Sequence, residues 1–330
     1  MDILLEKLIK AFGTSSHEEG VRNVIFDKLN ELNINYEVDK MDNVIVKIGA
    51  KVENEEDKLM FVSHMDTIGL IVTVIDDKGF VKVGNLGEVK ISNIVDSLVV
   101  FENGTIGRAC SNKKSPEIDD IYIDLGVNSR EEALKKIKEG DVAVFKGEIA
   151  EIGENIASPA LDNRIGCYML LKIIERLSKN REKLDSLNKE FSFVFSTQNM
   201  LEGRGARAAA YAIDPMYCIV VDTEAASDDL GGKGRFKLGN GPGLHVFDKN
   251  LIVHHEIKEM LENAFQKANI EPQYVFSEKG TDGGRIHKET NGIKTGVISI
   301  PVRYKNSIAE MANFKDIEKG IEILHNVIFN

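Results

Sequence analysis

Ser63-His64-Met65-Asp66 closes an apolar run at 59–63, and at two-residue spacing His64 and Asp66 share one face of an extended strand. An imidazole placed there can ligate a metal while a neighbouring carboxylate fixes its tautomer. The plainer alternative is a hydrogen-bonded polar pair at a strand end. Leu161-Asp162-Asn163-Arg164-Ile165-Gly166 opens a helical run, so Asp162 is either a ligand or a helix N-cap. Val220-Val221-Asp222-Thr223-Glu224 ends a second apolar strand in an acid, with Asp222 and Glu224 on one face; a turn-capping carboxylate is the alternative. His64, Asp162 and Asp222 together make one imidazole and two carboxylates at the ends of three different elements. That donor set suits Zn²⁺, Co²⁺ or Mn²⁺.

Other chemistries find less support. No serine or cysteine sits in a GxSxG elbow, so acyl-enzyme hydrolysis is not expected. Gly231-Gly232-Lys233-Gly234 lacks the spacing and terminal Lys-Ser/Thr of a phosphate loop and reads as a flexible loop. His254-His255 opens a helical run in which adjacent side chains are expected to point apart, which argues against a shared metal. Asp282, in Gly280-Thr281-Asp282-Gly283, either lines a pocket or serves a turn.

The elements that must position these residues follow from hydrophobic periodicity. Leu4, Leu5, Leu8, Ile9 and Phe12 recur at helical steps, and a second helix is expected over 18–32. Strands at 43–48 and 59–63 follow. Between 69 and 157 the texture changes to short strand-like runs (70–75, 80–83, 98–101, 142–145) separated by turn signals, with one helical stretch at 129–139. After 157 an α/β alternation resumes: helices near 164–179, 205–212, 251–268 and 314–328, strands near 191–196, 217–222, 273–276 and 296–300. The expected fold is α/β: a mostly parallel mixed sheet covered by helices, from 1–68 and 158–330, carrying an inserted small β-barrel at 69–157. Ligands of such sheets bind beyond the carboxyl ends of the strands, where all three candidate donors fall.

Composition narrows the partners. Among 330 residues, 53 acids against 42 bases give a formal charge of −11, and no dense basic stripe exists, so nucleic acid is not an expected partner. No apolar run reaches the length of a membrane span, and Met1–Lys7 shows no basic stretch leading into an apolar one; a cytoplasmic location is expected. Three scattered cysteines, Cys110, Cys167 and Cys218, make no disulfide framework and no CxxC zinc pair.

In their order and spacing these motifs resemble the tetrahedral aminopeptidases, which include deblocking and glutamyl aminopeptidases. The resemblance runs nearly end to end. It rests on Ser63-His64-Met65-Asp66-Thr67-Ile68-Gly69, Ala160-Leu161-Asp162-Asn163-Arg164-Ile165-Gly166, Arg204-Gly205-Ala206 and Val221-Asp222. Leu238-Gly239-Asn240-Gly241-Pro242, Gly280-Thr281-Asp282-Gly283 and Ile300-Pro301-Val302-Arg303-Tyr304 extend it, and the inserted block resembles that family's second domain. The resemblance implies a zinc-peptidase-like fold, removal of N-terminal residues from peptides, large homo-oligomers and an inserted domain serving oligomerisation or substrate access. It makes Asp162 a carboxylate shared by two metals, with His64 and Asp222 completing the first site and Asp66 orienting His64.

The remaining positions depart from the pattern. The resemblance places a general-base Glu and then a ligand Glu directly after Gln198, where this chain has Asn199 and Met200; a last ligand His falls where it has Asn306. An amide does not take a proton from water as a carboxylate does, and a thioether is a poor partner for Zn²⁺ among oxygen and nitrogen ligands. One divalent metal and a weak or inactive aminopeptidase are therefore expected. Two other readings remain. One is a non-catalytic peptide-binding or assembly subunit, with an active paralogue as a partner. The other is a one-metal hydrolase that uses Glu202 or Glu224 as its base.

Overall fold

The structure, a computed structural model, describes residues 1–329 apart from 233, so Lys233 of the glycine-rich loop lies outside the described residues. Its centre is four parallel strands. Lys58–His64 lies between Glu190–Ser196 and Tyr217–Ala225, and Lys294–Arg303 follows on the far side of Tyr217–Ala225. Met60, Phe61 and Val62 are buried in succession, as are Phe193, Val194 and Phe195, which is the continuous apolar pattern of a strand covered on both faces. Phe61 stacks on Phe193 with ring centroids 5.1 Å apart, which helps to hold the register.

Both margins turn antiparallel. Val44–Gly49 pairs with Glu190–Ser196 on one side. On the other, Glu310–Asn313 pairs with the end of Lys294–Arg303 and leads on to Asn155–Ser158 and Ala150–Ile152. Gly243–Phe247 branches off Lys294–Arg303 and carries Gln273–Phe276 beside it. Among the described residues the sheet has eleven strands. Helices Leu161–Ser178, Arg204–Ile213, His255–Lys267 and Phe314–Ile328 pack on it. Leu161–Ser178 does so through Ile165, Met169, Leu170, Ile173, Ile174 and Leu177, all buried at three- and four-residue steps.

A closed antiparallel barrel interrupts this unit: Gly69–Ile75, Val81–Leu86, Tyr122–Asp124, Ile106–Cys110, Leu98–Phe101 and Val142–Lys146, in that spatial order. Its first and last strands close on each other through Gly69 opposite Val144. Inside are Leu70, Val72, Val81, Val83, Val99, Phe101, Ile123 and Phe145, a core separate from that of the sheet. Two barrel strands, Ile106–Cys110 and Tyr122–Asp124, fall where the sequence shows no strand signal. The helix expected at 129–139 shrinks to Arg130–Leu134, capped by the Ser129 hydroxyl accepting from the Glu132 amide. All three cysteines are free and buried.

One expectation fails near the chain's histidine pair. His254 lies outside the helix, with extended dihedrals, and its Nδ1 accepts from the Glu256 amide as an N-cap. The His254 and His255 rings therefore do not diverge; their centroids are 4.5 Å apart.

Candidate metal centre

Val62 lies opposite Val220, so His64, the last residue of its strand, and Asp222, two residues further along the neighbouring one, stand at the same level just beyond the paired stretch. Asp162 joins them from the start of Leu161–Ser178. Its capping alternative does not hold: Asp162 and Asn163 have non-helical dihedrals, and the Asn163 Oδ1 accepts from the Gly166 amide at 2.9 Å. Asn163 thus takes the cap-like bond, and the Asp162 carboxylate is free to face the sheet. Asn163 also donates to Ser63 Oγ and to the Val221 carbonyl, which ties the helix start to both strand ends.

His64 Nε2 lies 3.6 Å from Asp162 Oδ1 and 3.6 Å from Asp222 Oδ1. The three donor atoms lie within 4.8 Å of one another, and all three residues are buried. Ligands about 2.0–2.1 Å from a tetrahedral zinc sit roughly 3.3 Å apart, close to the two 3.6 Å separations from His64 Nε2. The His64 Nδ1 meets the Asp66 backbone carbonyl at 2.9 Å and its carboxylate at 3.5 Å, which directs Nε2 toward the two acids. The contact between Asp66 and His64 thus runs chiefly through the Asp66 carbonyl. Its carboxylate accepts from the Ser15 hydroxyl (2.6 Å) and from the Asn199 and Met200 backbone amides (2.9 Å each), fixing the loop after Ser196. The residues present fit one divalent ion.

Charge is dense here. Burial works against ionisation of Asp162, yet the neighbouring Lys305 ammonium and His64 outweigh it and hold the carboxyl well below the usual range. Burial likewise opposes Asp222, which His64 and Lys305 nevertheless keep ionised. Burial disfavours a charged His64, but its three carboxylate neighbours raise its pKa well above the ordinary imidazole value. Farther out, burial and then the Asp66 charge push Glu18 up to about 7. Burial pushes Asp282 up to about 7, and burial together with Asp162 pushes Glu310 up to about 8.

The other expected positions gather no second donor set. The Asn199 side-chain amide donates to Asp282 Oδ1 at 2.7 Å. Met200 is half-buried against the barrel core, its side chain lying over Gly87, where a Cβ would come within 2.7 Å of its sulfur. Glu202 pairs with Arg285 at 2.8 Å, and its side chain is 78% exposed, so the structure does not bring it to the centre. Glu224 is half-buried and accepts from the Ala225 amide. Asn306 has a left-handed backbone (φ 63°), and its backbone amide donates to Glu310 Oε1.

Sequence reasoning missed three members of this site. Lys305 donates to the Thr223 carbonyl at 2.8 Å and lies 3.3 Å from Asp162 Oδ2. The Thr223 hydroxyl donates to Asp162 Oδ1 at 2.7 Å. Glu310 accepts from the Asp162 and Asn306 amides at 2.9 and 2.8 Å. Only Thr223, flanked by two acids at the end of an apolar run, carried a local signal; Lys305 and Glu310 reach Asp162 through tertiary contacts alone.

A buried His-Asp-Asp cluster beyond the parallel strands of a mixed sheet, with a closed barrel inserted, defines a molecule of the metallopeptidase class. The chain belongs to the tetrahedral aminopeptidase family: the family described as M42 glutamyl aminopeptidase matches residues 42–323. A putative aminopeptidase of Acetivibrio thermocellus is 36% identical over 332 residues, covering 98% of this chain and 97% of that protein. A lysyl aminopeptidase of Pyrococcus furiosus is 29% identical, covering 97% and 94%. Among solved structures, an aminopeptidase from Desulfurococcus kamchatkensis superposes with a TM-score of 0.89 at 30% identity, over 99% of this chain and 93% of that one. A Pyrococcus horikoshii TET1 peptidase, described as assembling into a tetrahedron or a large octahedral shell, gives 0.87 at 27% identity, covering 98% of each chain. Peptidases of this family depend on divalent metal, and the candidate centre lies in the matched region. Among the described residues no helix is long and apolar enough to cross a membrane.

Proposed function

We propose that this chain is a one-metal member of the family whose peptidase turnover is weak or absent, and whose retained site binds peptides. His64, Asp162 and Asp222 would hold one ion, zinc, cobalt or manganese, with Asp66 orienting His64. A bound divalent ion would polarise a peptide carbonyl and acidify a water molecule. The observation that carries the reading lies at Asn199, where the resemblance puts the general base: its side-chain amide donates a hydrogen bond to Asp282 Oδ1, and an amide cannot take a proton from water as a carboxylate does. A positioned base contributes roughly 10²–10⁴-fold. In support, Glu202 is exposed and paired with Arg285, and Glu224 accepts from the Ala225 amide, contacts that do not lead toward the three ligands.

The related assemblies support a homo-oligomer for this chain. Of the block expected at 69–157, the barrel at 69–146 would serve oligomerisation or substrate access, while Ala150–Ile152 and Asn155–Ser158 belong with 1–68 and 158–330 in the peptidase-like unit, because they are strands of its sheet. A mixed assembly with an active paralogue and a cytoplasmic location accord with this reading.

A panel of aminoacyl and short-peptide substrates with added zinc, cobalt or manganese tests it, alongside His64→Ala and a metal assay. The expected result is one metal per chain, lost in His64→Ala, with turnover at least about 100-fold below that of a relative retaining the base. Efficient turnover that disappears in His64→Ala would refute the proposal.

A further inference from the structure

A carboxylate has two oxygens and can serve a cation on each. In Asp162 the two face different neighbours: Oδ1 faces His64 Nε2, while Oδ2 lies 3.3 Å from the Lys305 ammonium. We infer that Lys305 is a built-in counter-cation that takes the outer oxygen of Asp162, so that the centre holds a single metal ion through Oδ1 and excludes a second. The inference rests on the one-metal reading above and says what enforces it.

Three observations support the assignment. First, Lys305 is placed rather than draped. It donates to the Thr223 carbonyl, the residue that follows the ligand Asp222, at 2.8 Å. Tyr304 and Asn306 on either side both have left-handed backbones, φ 58° and 63°. Such dihedrals cost free energy for residues with a Cβ and persist where surroundings impose them. Here the surroundings include Glu310, whose two oxygens accept from the Asp162 and Asn306 amides and so fix the turn against the ligand.

Second, the charges balance. Three carboxylates, Asp66, Asp162 and Asp222, lie within 3.6 Å of the His64 ring nitrogens. One divalent ion and one ammonium neutralise them. A second divalent ion beside Lys305 would add two positive charges where Asn199, Met200 and Asn306 contribute none. An ammonium and a second divalent ion crowded onto the same carboxylate would repel each other, the more so because the ion carries two charges.

Third, the side chains that would have to answer a second ion are engaged elsewhere. Asn199 donates to Asp282, and Met200 packs on the barrel.

The test is zinc stoichiometry by native mass spectrometry and elemental analysis after dialysis, on full-length protein. Wild type is expected to hold one zinc per chain. A variant carrying Met200→Glu and Asn306→His with Lys305 kept should still hold one, although two competent ligands have been supplied. Adding Lys305→Met to that pair should raise the count to two. Two zinc ions in the pair with Lys305 present, or one in the triple variant, would overturn the role of Lys305. If the triple variant does not fold, the pair alone decides: one zinc supports the assignment and two refutes it. Two zinc ions in wild type would instead refute the one-metal reading on which the inference rests.

Discussion

Replacing Glu18 by glutamine should change how stability depends on pH, in a window set by its surroundings. The Glu18 Oε1 accepts from the Gln198 amide at 2.9 Å and the Ser16 amide at 3.1 Å, so it braces the loop that carries Asn199 and Met200. A glutamine oxygen can accept both bonds, which makes the substitution nearly isosteric. Burial, then repulsion from Asp66, raises the carboxyl from 4.5 to about 7. Between those two values the folded chain keeps a proton that the unfolded chain has released. Wild-type stability from this group is thus fully present below pH 4.5 and is lost as pH rises to about 7. A displacement of this size corresponds to roughly 3 kcal/mol at 1.36 kcal/mol per pH unit. The Glu18→Gln side chain has no proton to exchange, so stability of the variant relative to wild type should climb by about that amount from pH 4.5 to 7 and stay level above. Urea denaturation of both proteins across pH 4–8 measures the difference, in which other titrating groups largely cancel. A difference independent of pH would refute the reasoning and mean that the amide donors cancel the effect of burial.

Two further perturbations address the scaffold. Arg164 is fully buried and donates to the carbonyls of Leu8, Ala11 and Gly13, so Arg164→Met should lose roughly 2–4 kcal/mol from its charged hydrogen bonds, seen as a lowered urea midpoint; an unchanged midpoint would count against that clamp. Met200→Ala should cost about 1–2 kcal/mol and speed amide exchange around Gly87, yet leave zinc content unchanged; a drop in bound zinc would show that the thioether is a ligand after all.

Much of the site was legible because its residues interrupt strong local patterns. His64 and Asp222 follow apolar stretches whose burial is visible as runs of Val, Ile and Phe, and a polar side chain there stands out. Asp162 was legible as a helix-start acid, with ligand and cap both open, because only tertiary contact shows that Asn163 takes the capping bond. Lys305 was not legible. A lysine beyond a strand ordinarily lies in solvent, and its neighbours Asp162 and Thr223 are distant in sequence. The same limit hid Ile106–Cys110 and Tyr122–Asp124. They are short strands interrupted by glycine, arginine or aspartate, and barrel closure rather than their own periodicity holds them in place.

The closure of the barrel through Gly69 and Val144 has a consequence for how the chain assembles. Glu190–Ser196 must pair with Lys58–His64 across roughly 125 intervening residues. A barrel that forms first brings its own ends together and shortens that loop to roughly 50 residues, a gain of about 0.8 kcal/mol in closure entropy. The gain is small because the dependence on length is logarithmic. For the same reason the peptidase-like unit is nearly indifferent to the length of what is inserted. Segments of the insert can therefore lengthen or shorten at little cost in closure entropy while the sheet keeps its register.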